Sequence, residues 1–138
     1  MRSPLLLDTC AAIWIANKAP VSDEFLRELQ RAEAEDQHIY ISPISAWEIG
    51  MLVSRGRMSL PTAPERWFTN LLQAPALRLA NLPPNVLIAA SYLPGSPPTD
   101  PADRILAATA REYGYALVTR DRPLLDYALQ GHLQALAC

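Results

Sequence analysis

Four acidic residues occupy positions where a carboxylate could do chemistry: Asp8, Glu48, Asp103 and Asp121. Asp8 ends the apolar run Leu5-Leu6-Leu7, and Asp121 follows a later apolar run by three residues. If these runs are parallel strands, both acids lie beyond the carboxyl ends of strands, where open α/β sheets bind ligands. Each acid alone also has a structural explanation, because Asp8 could cap a helix and Asp121 could form a turn.

Glu48 is the acid for which a structural explanation is hardest to find. The pattern predicts a helix over 44–54, with an apolar stripe formed by Ile44, Trp47, Met51 and Leu52. Glu48 falls within that stripe, where an ionised carboxylate is costly unless it is paired or binds a metal. Arg55 is roughly 10 Å further along the helix axis, which is too far for an easy ion pair.

Asp100 and Asp103 begin the helix predicted over 100–113. Asp100 is a natural N-cap before Pro101 at the first helical position, and this role explains it fully. Asp103 complements the helix dipole in the first turn. It also lies one turn before a small apolar face that should pack inward, which a purely structural role explains less well.

Strand–helix–strand winding could bring Asp8, Glu48, Asp103 and Asp121, which we call the acid cluster, to one end of a sheet. Carboxylates without Cys or His favour a hard, oxygen-preferring cation, so we expect one or two Mg²⁺ or Mn²⁺ ions. Such sites leave coordination positions for water and a substrate phosphate. The cluster therefore indicates metal-assisted chemistry on a phosphate-containing substrate.

The elements needed to position these acids are short strands separated by helices. The predicted strands cover residues 5–7, 38–42, 76–79, 116–118 and about 133–136. The predicted helices cover 11–17, 22–35, 44–54, 61–73, 83–93 and 100–113, with a short one after Pro123. This alternation predicts one α/β domain over residues 1–138, with a mainly parallel central sheet of four to five strands.

Composition limits the function classes. The formal net charge of the 138 residues is -2, so nucleic-acid binding would need locally placed arginines or metal ions. No apolar run approaches the roughly 20 residues that span a bilayer, and Cys10 and Cys138 lack metal-like spacing. We expect a cytoplasmic protein without a membrane partner.

Four segments in order resemble the PIN domain and, within that family, the VapC-type toxins of bacterial toxin–antitoxin systems. They are Leu5-Leu6-Leu7-Asp8-Thr9, Ile44-Ser45-Ala46-Trp47-Glu48-Ile49 with Arg55-Gly56-Arg57-Met58-Ser59-Leu60, Asp100-Pro101-Ala102-Asp103-Arg104, and Leu117-Val118-Thr119-Arg120-Asp121. The resemblance implies a three-layer α/β/α sandwich and a Mg²⁺- or Mn²⁺-dependent endoribonuclease inhibited by a cognate VapB-like antitoxin. It also implies a homodimer and a toxin–antitoxin hetero-oligomer.

The resemblance carries over the acid cluster as catalytic and metal-binding residues, with Asp100 and Thr119 as accessory residues. Relatives often have a His before the Asp-Pro pair and an aromatic residue before the second Asp. This sequence has Pro97-Pro98-Thr99 and Ala102 there. The departure concerns local substrate contacts and leaves the acid cluster intact.

Three arginines adjoin the acids in sequence, namely Arg104, Arg120 and Arg122, and could steer phosphate or simply be solvated. Apolar surface for a dimer is expected from side chains such as Trp14, Trp67 or Phe68, which could equally pack in the core.

Two alternative functions remain open at this stage. A binding module could keep the fold and use the acids only as caps, although Glu48 argues against this. A strand-end aspartyl phosphotransferase would need a second acid where Cys10 stands and a lysine near the phosphate, and Lys18 is the only lysine.

Overall fold

The computed structural model describes residues 3–138, and all bounds below refer to that part of the chain. The strands are β1 (Leu5–Leu7), β2 (Ile39–Ile41), β3 (Leu77–Leu79), β4 (Ala116–Thr119) and β5 (Ala135–Ala137). The helices are α1 (Thr9–Ala16), α2 (Asp23–Ala34), α3 (Pro43–Ser54), α4 (Pro64–Leu71), α5 (Pro84–Ala89), α6 (Pro101–Tyr113) and α7 (Arg122–Leu129).

The five strands form one parallel sheet in the order β3-β2-β1-β4-β5. Strand β1 lies at the centre, and Leu7 is in register with Ile41 of β2 and Val118 of β4. The chain winds outward from β1 in one direction to β2 and β3, and in the other direction through β4 to β5. The boundary between β1 and β4 is therefore the switch point, where such sheets bind ligands.

Helices cover both faces of the sheet, which confirms the predicted three-layer α/β/α sandwich. Alternate side chains of a strand point to opposite faces, so Leu5 and Leu7 pack with Phe25 of α2, on one side. Leu6, between them, packs on the other side with Leu106 of α6. No helix within residues 3–138 is long and apolar enough to cross a membrane.

Two predicted helices begin two or more residues away from the predicted position, one because of a proline and the other because of a capping side chain. Helix α4 begins at Pro64, whereas the sequence predicts 61–73. A helix already formed at Pro61 would place Pro64 where it lacks the required N–H and clashes with the preceding turn. Helix α1 begins at Thr9, two residues earlier than predicted, because Asp8 itself caps it.

Helix α3 presents a different face to the core from the one its apolar stripe predicts. Its buried side chains are Ser45 and Ile49, whereas Trp47 is 55% exposed. Ile49 packs with Ile13 and Trp67 in a small core beside the sheet. The helix is apolar on several faces, so the stripe did not determine its orientation.

The aromatic side chains proposed for a dimer surface are largely used inside the protein. Trp67 is buried, and Phe68 packs against two core clusters. The indole of Trp14 is partly covered by the Arg120 guanidinium, whose central carbon lies 3.6 Å from the ring centroid. The prediction that Trp67 supplies exposed apolar surface is therefore wrong.

Candidate active site

Asp8 lies at the carboxyl end of the central strand and is 6% exposed. One carboxylate oxygen, Oδ1, accepts a hydrogen bond of 2.7 Å from the Ala11 backbone N–H. The other oxygen, Oδ2, accepts a hydrogen bond of 2.6 Å from the Thr119 hydroxyl. Burial raises the pKa of Asp8, and these two hydrogen bonds oppose that rise. The carboxylate is thus held in one orientation by donors from two neighbouring elements.

Thr119 connects Asp8 to Asp121 across the switch point. It is fully buried at the end of β4, and its Oγ1 accepts a hydrogen bond of 3.0 Å from the Asp121 backbone N–H. The Asp121 carboxylate caps α7 by accepting from the Leu124 N–H at 3.3 Å. The predicted accessory residue Thr119 therefore orients two acids. Its hydroxyl holds the carboxylate of Asp8 and also fixes the backbone of Asp121.

Glu48 reaches the same edge of the sheet from α3, and Thr9 orients it. The Thr9 hydroxyl donates to Glu48 Oε1, and a second hydrogen bond of 2.8 Å joins Thr9 Oγ1 to Ser45 Oγ. Burial raises the pKa of Glu48, the bond from Thr9 opposes this, and repulsion from Asp100, Asp8 and Asp121 adds to it.

Thr9 and Ser45 lie at the candidate site, where Thr9 contacts Glu48 and Ser45 contacts Thr9, and sequence reasoning did not single them out. The available signals were modest, namely that Thr9 follows Asp8 directly and Ser45 precedes Glu48 by three residues on one helix.

Asp103 carries the largest electrostatic perturbation among the acids. It lies one turn into α6, whose N-cap Asp100 accepts a hydrogen bond of 2.9 Å from the Asp103 backbone N–H. Among residues 3–138, none donates a hydrogen bond to the Asp103 carboxylate. Burial raises its pKa to about 7, and repulsion from Asp121, Asp100, Glu48 and Asp8 contributes. The apolar face that follows it, with Leu106 and Ala107, is buried as predicted.

The structure therefore brings all four members of the acid cluster, with Asp100, to one edge of the sheet. The pKa values of Asp8, Glu48 and Asp103 are all raised in part by the negative charges of neighbouring acids. Within residues 3–138, the acid cluster has no ion-pair partner. Like charges held together without an ion-pair partner are destabilising, so this arrangement favours a ligand that brings positive charge.

The donor set fits a hard divalent cation, since it consists of carboxylate oxygens supported by hydroxyl groups. In the described part of the chain, however, no three acidic, His or Cys side chains are arranged to hold one ion. Asp8 is fixed by its hydrogen bonds, whereas Asp103 receives none from the described residues. To coordinate one ion together, the acids would therefore need less constrained side chains such as Asp103 to reorient toward Asp8.

The three arginines adjoining the acids have different surroundings. Arg104 Nε donates to the Ala90 carbonyl at 2.8 Å, and its Nη1 donates to the Pro98 carbonyl at 3.1 Å. Arg120 stacks on Trp14 and donates to the carbonyl of residue 138 at 3.0 Å. These two guanidinium groups are engaged in the fold. Arg122 is exposed at the first position of α7, next to Asp121.

A cleft of about 210 Å³ lies beside the acids, between α3 and the start of α6. We call it the α3–α6 cleft. Glu48 and Asp100 line it together with Trp47, Arg55 and Arg57. The two arginines are a feature that sequence reasoning missed, because it considered Arg55 only as an ion-pair partner for Glu48.

Comparison with known proteins agrees with this geometry. The profile of the PIN domain matches residues 5–129. The chain is 35% identical over 123 residues to ribonuclease VapC22 of Mycobacterium tuberculosis (strain ATCC 25618 / H37Rv), covering 89% of this chain and 91% of that protein.

Solved structures share the fold at lower identity. VapBC2 from Rickettsia felis, bound to a promoter DNA fragment, gives a TM-score of 0.66 at 18% identity, covering 96% of this chain and 97% of that one. DNA-bound VapBC from Salmonella typhimurium gives a TM-score of 0.66 at 20% identity, and the match covers 99% of this chain and 98% of that one. With the acids at the predicted edge of the sheet and the profile match over most of its length, this chain belongs to the PIN domain family, among its VapC-type members.

Proposed function

We propose that this chain is a metal-dependent endoribonuclease that hydrolyses RNA phosphodiester bonds, with a single nuclease domain over residues 1–138. One observation carries the proposal: the acid cluster meets at the switch point of the sheet without an ion-pair partner among the described residues. The similarity to a ribonuclease over most of the chain supports the same substrate class.

Mg²⁺ or Mn²⁺, as one or two ions, is the cofactor we propose, with Asp8, Glu48, Asp103 and Asp121 as its ligands. When bound, the ion would activate a water and stabilise charge on the phosphate undergoing attack. Thr119 keeps Asp8 oriented toward the edge, and Thr9 does so for Glu48. Both acids are thereby held ready before substrate arrives, which reduces the reorganisation that binding requires.

Other parts of the proposal concern partners and location. A small antitoxin protein would inhibit the nuclease, since the solved structures that share this fold are VapBC assemblies. A homodimer within a toxin–antitoxin hetero-oligomer and a cytoplasmic location complete the proposal. An antitoxin cation placed against the acid cluster would supply the charge that the metal-free site lacks.

The phosphotransferase alternative fits this site less well. Lys18 lies past the end of α1, whose eight residues extend roughly 12 Å from the end that Asp8 caps. Such a lysine is poorly placed to contact a phosphate held at Asp8. The alternative of an inactive binding module is decided by the experiment below.

The test is cleavage of total RNA and of mixed-sequence oligoribonucleotides by the purified protein. We expect cleavage with Mg²⁺ or Mn²⁺, none in excess EDTA, and recovery when Mg²⁺ is restored. Asp8→Asn should lower the rate by more than the roughly 10- to 100-fold that loss of an outer-shell partner costs, because Asp8 is a proposed ligand. Asp126→Asn, an exposed change on α7, serves as the matched control. Undiminished cleavage in chelator would refute metal dependence, and no cleavage with any ion would favour the binding module.

A further inference from the structure

The α3–α6 cleft contains an exposed tryptophan, Trp47. Trp47 is 55% exposed, although tryptophan usually buries most of its surface. The other two indoles have structural roles, because Trp67 lies in a core and Trp14 is stacked by Arg120. Among the described residues, no ring or guanidinium stacks on Trp47. Its face is therefore available to a planar ligand group.

Two exposed arginines line the same cleft. Arg55 caps α3 eight residues after Trp47, which is about 12 Å along the helix axis. Gly56 adopts a left-handed conformation with φ 69°, so the chain turns there and Arg57 also lines the cleft. Neither arginine has a salt bridge or side-chain hydrogen bond among residues 3–138. In a chain with a net charge of -2, this local pair provides cationic surface beside the acids.

The charges are arranged along the cleft. Glu48, next to Trp47 on α3, belongs to the acid cluster and marks the end where we place hydrolysis. Arg55 and Arg57 mark the other end, two helical turns away. Trp47 lies at the same end of the cleft as Glu48. An RNA strand that places its scissile phosphate at the acids would therefore have a base beside Trp47 and a phosphate further along the strand near the arginines.

We propose that the α3–α6 cleft is a subsite for single-stranded RNA, in which Trp47 stacks on a base near the scissile phosphate and Arg55 and Arg57 bind a neighbouring phosphate. This inference rests on the proposed function. An aromatic side chain stacks on unpaired bases, which are available in single strands and loops and not within a duplex. Arginine binds phosphate through a planar, bidentate arrangement of donors.

The size of the cleft favours a single nucleotide over a larger occupant. Its volume of about 210 Å³ is below the roughly 300 Å³ at which pockets begin to hold drug-sized ligands. It therefore has room for a group such as one base. The two arginines, which have no ion-pair partner among the described residues, favour an occupant that carries the negative charge of a phosphate.

The experiment measures RNA binding separately from cleavage. A labelled mixed-sequence oligoribonucleotide of about ten nucleotides, within the range of single-strand site sizes, is titrated with Asp103→Asn protein in Mg²⁺ and followed by anisotropy. Adding Trp47→Ala should weaken binding by about 5- to 150-fold, the range for loss of one stacked base. Trp47→Phe should stay within about threefold of the parent, because a stacking face remains. Thermal melts confirm that each variant is folded, and Tyr92→Ala removes an 81% exposed aromatic outside the cleft as the matched control.

The arginines are tested through the salt dependence of the same binding. Between about 50 and 200 mM KCl, Arg55→Ala and Arg57→Ala should each reduce the slope of log affinity against log salt by about 0.7, as loss of a single-strand phosphate contact does. Arg66→Ala, an exposed change on α4, should leave the slope unchanged. Unchanged slopes for both cleft variants would overturn the assignment of the arginines.

Cleavage by otherwise native protein separates this inference from the proposed function. We expect Trp47→Ala to raise KM for RNA with kcat changed less than about twofold, because uniform binding is lost. If Trp47→Ala leaves both RNA affinity and KM unchanged while the native protein cleaves RNA, the subsite is wrong and the nuclease stands. A loss confined to inhibition by antitoxin would overturn it too, since the cleft would then be a peptide site. If native protein does not cleave but Trp47→Ala loses RNA affinity, the subsite stands and the nuclease is wrong.

Discussion

Replacing Asp103 by Asn should make the metal-free protein more stable while removing most of its activity. In the native chain, burial and four neighbouring carboxylates raise the pKa of Asp103 to about 7. The folded state therefore holds a proton at this carboxyl to higher pH than the unfolded chain does. Stability falls as pH rises from about 4 to 7, because only the folded state still binds that proton. The asparagine side chain has nearly the same shape as aspartate and carries no charge, so the variant avoids this loss.

The magnitude follows from the size of the shift. The rise from the ordinary value of 3.8 to about 7 is roughly three pH units, equivalent to about 4 kcal/mol if fully realised. Asp103 is partly exposed, so solvent screens the repulsion, and we expect about 1–2 kcal/mol. For a chain of this length, that corresponds to a melting temperature higher by about 3–8 °C.

Thermal and urea melts in EDTA at pH 4.5 and pH 8 measure the effect. Asp103→Asn should be more stable than the native protein at pH 8, with a smaller difference at pH 4.5. Asp126→Asn should show no such pH-dependent gain. In Mg²⁺ the difference in stability between the variant and the native protein should become smaller or change sign. An ion at ten times its Kd stabilises the native site by about 1.4 kcal/mol. A variant that melts lower in EDTA at pH 8, or that still cuts RNA, would refute the role given to Asp103.

Three further substitutions test the groups around the acids. Thr119→Val should lower stability by about 1–3 kcal/mol, because buried Asp8 loses a donor, and should cut activity about tenfold; an unchanged melting temperature would contradict this. Thr9→Val should raise the pKa of Glu48 further, because the carboxylate loses the hydrogen bond from Thr9. The loss of activity relative to native protein should therefore be larger at pH 6 than at pH 8, and Thr9→Ser should restore the activity. Arg104→Ala should lower the melting temperature with no change in the salt dependence of RNA binding, since its guanidinium bonds backbone carbonyls; a changed salt slope would return it to substrate binding.

The sequence was sufficient to predict the sheet and the edge at which the acids meet. Short apolar runs such as Leu5–Leu7 are readable as buried parallel strands, and an acid directly after a run must lie at its carboxyl end. The orientation of α3 could not be predicted in the same way. It depends on Ser45, a polar side chain that is fully buried and hydrogen-bonded to the Thr9 hydroxyl of another helix. That partner is 36 residues away, so no local pattern reveals it.

The structural and functional explanations of the acids turn out to be compatible. Asp8 and Asp121 each cap a helix. The structural reading of the sequence predicts a cap for Asp8 and a turn for Asp121. A cap, however, uses only one side of a carboxylate, and in Asp8 the second oxygen bonds Thr119 instead of water. The caps therefore fix these acids at the edge of the sheet where Glu48 and Asp103, which cap nothing, meet them. Capping at this edge is part of how the fold assembles a cluster of like charges, and the cost of that cluster is measurable as the stability that Asp103→Asn should restore.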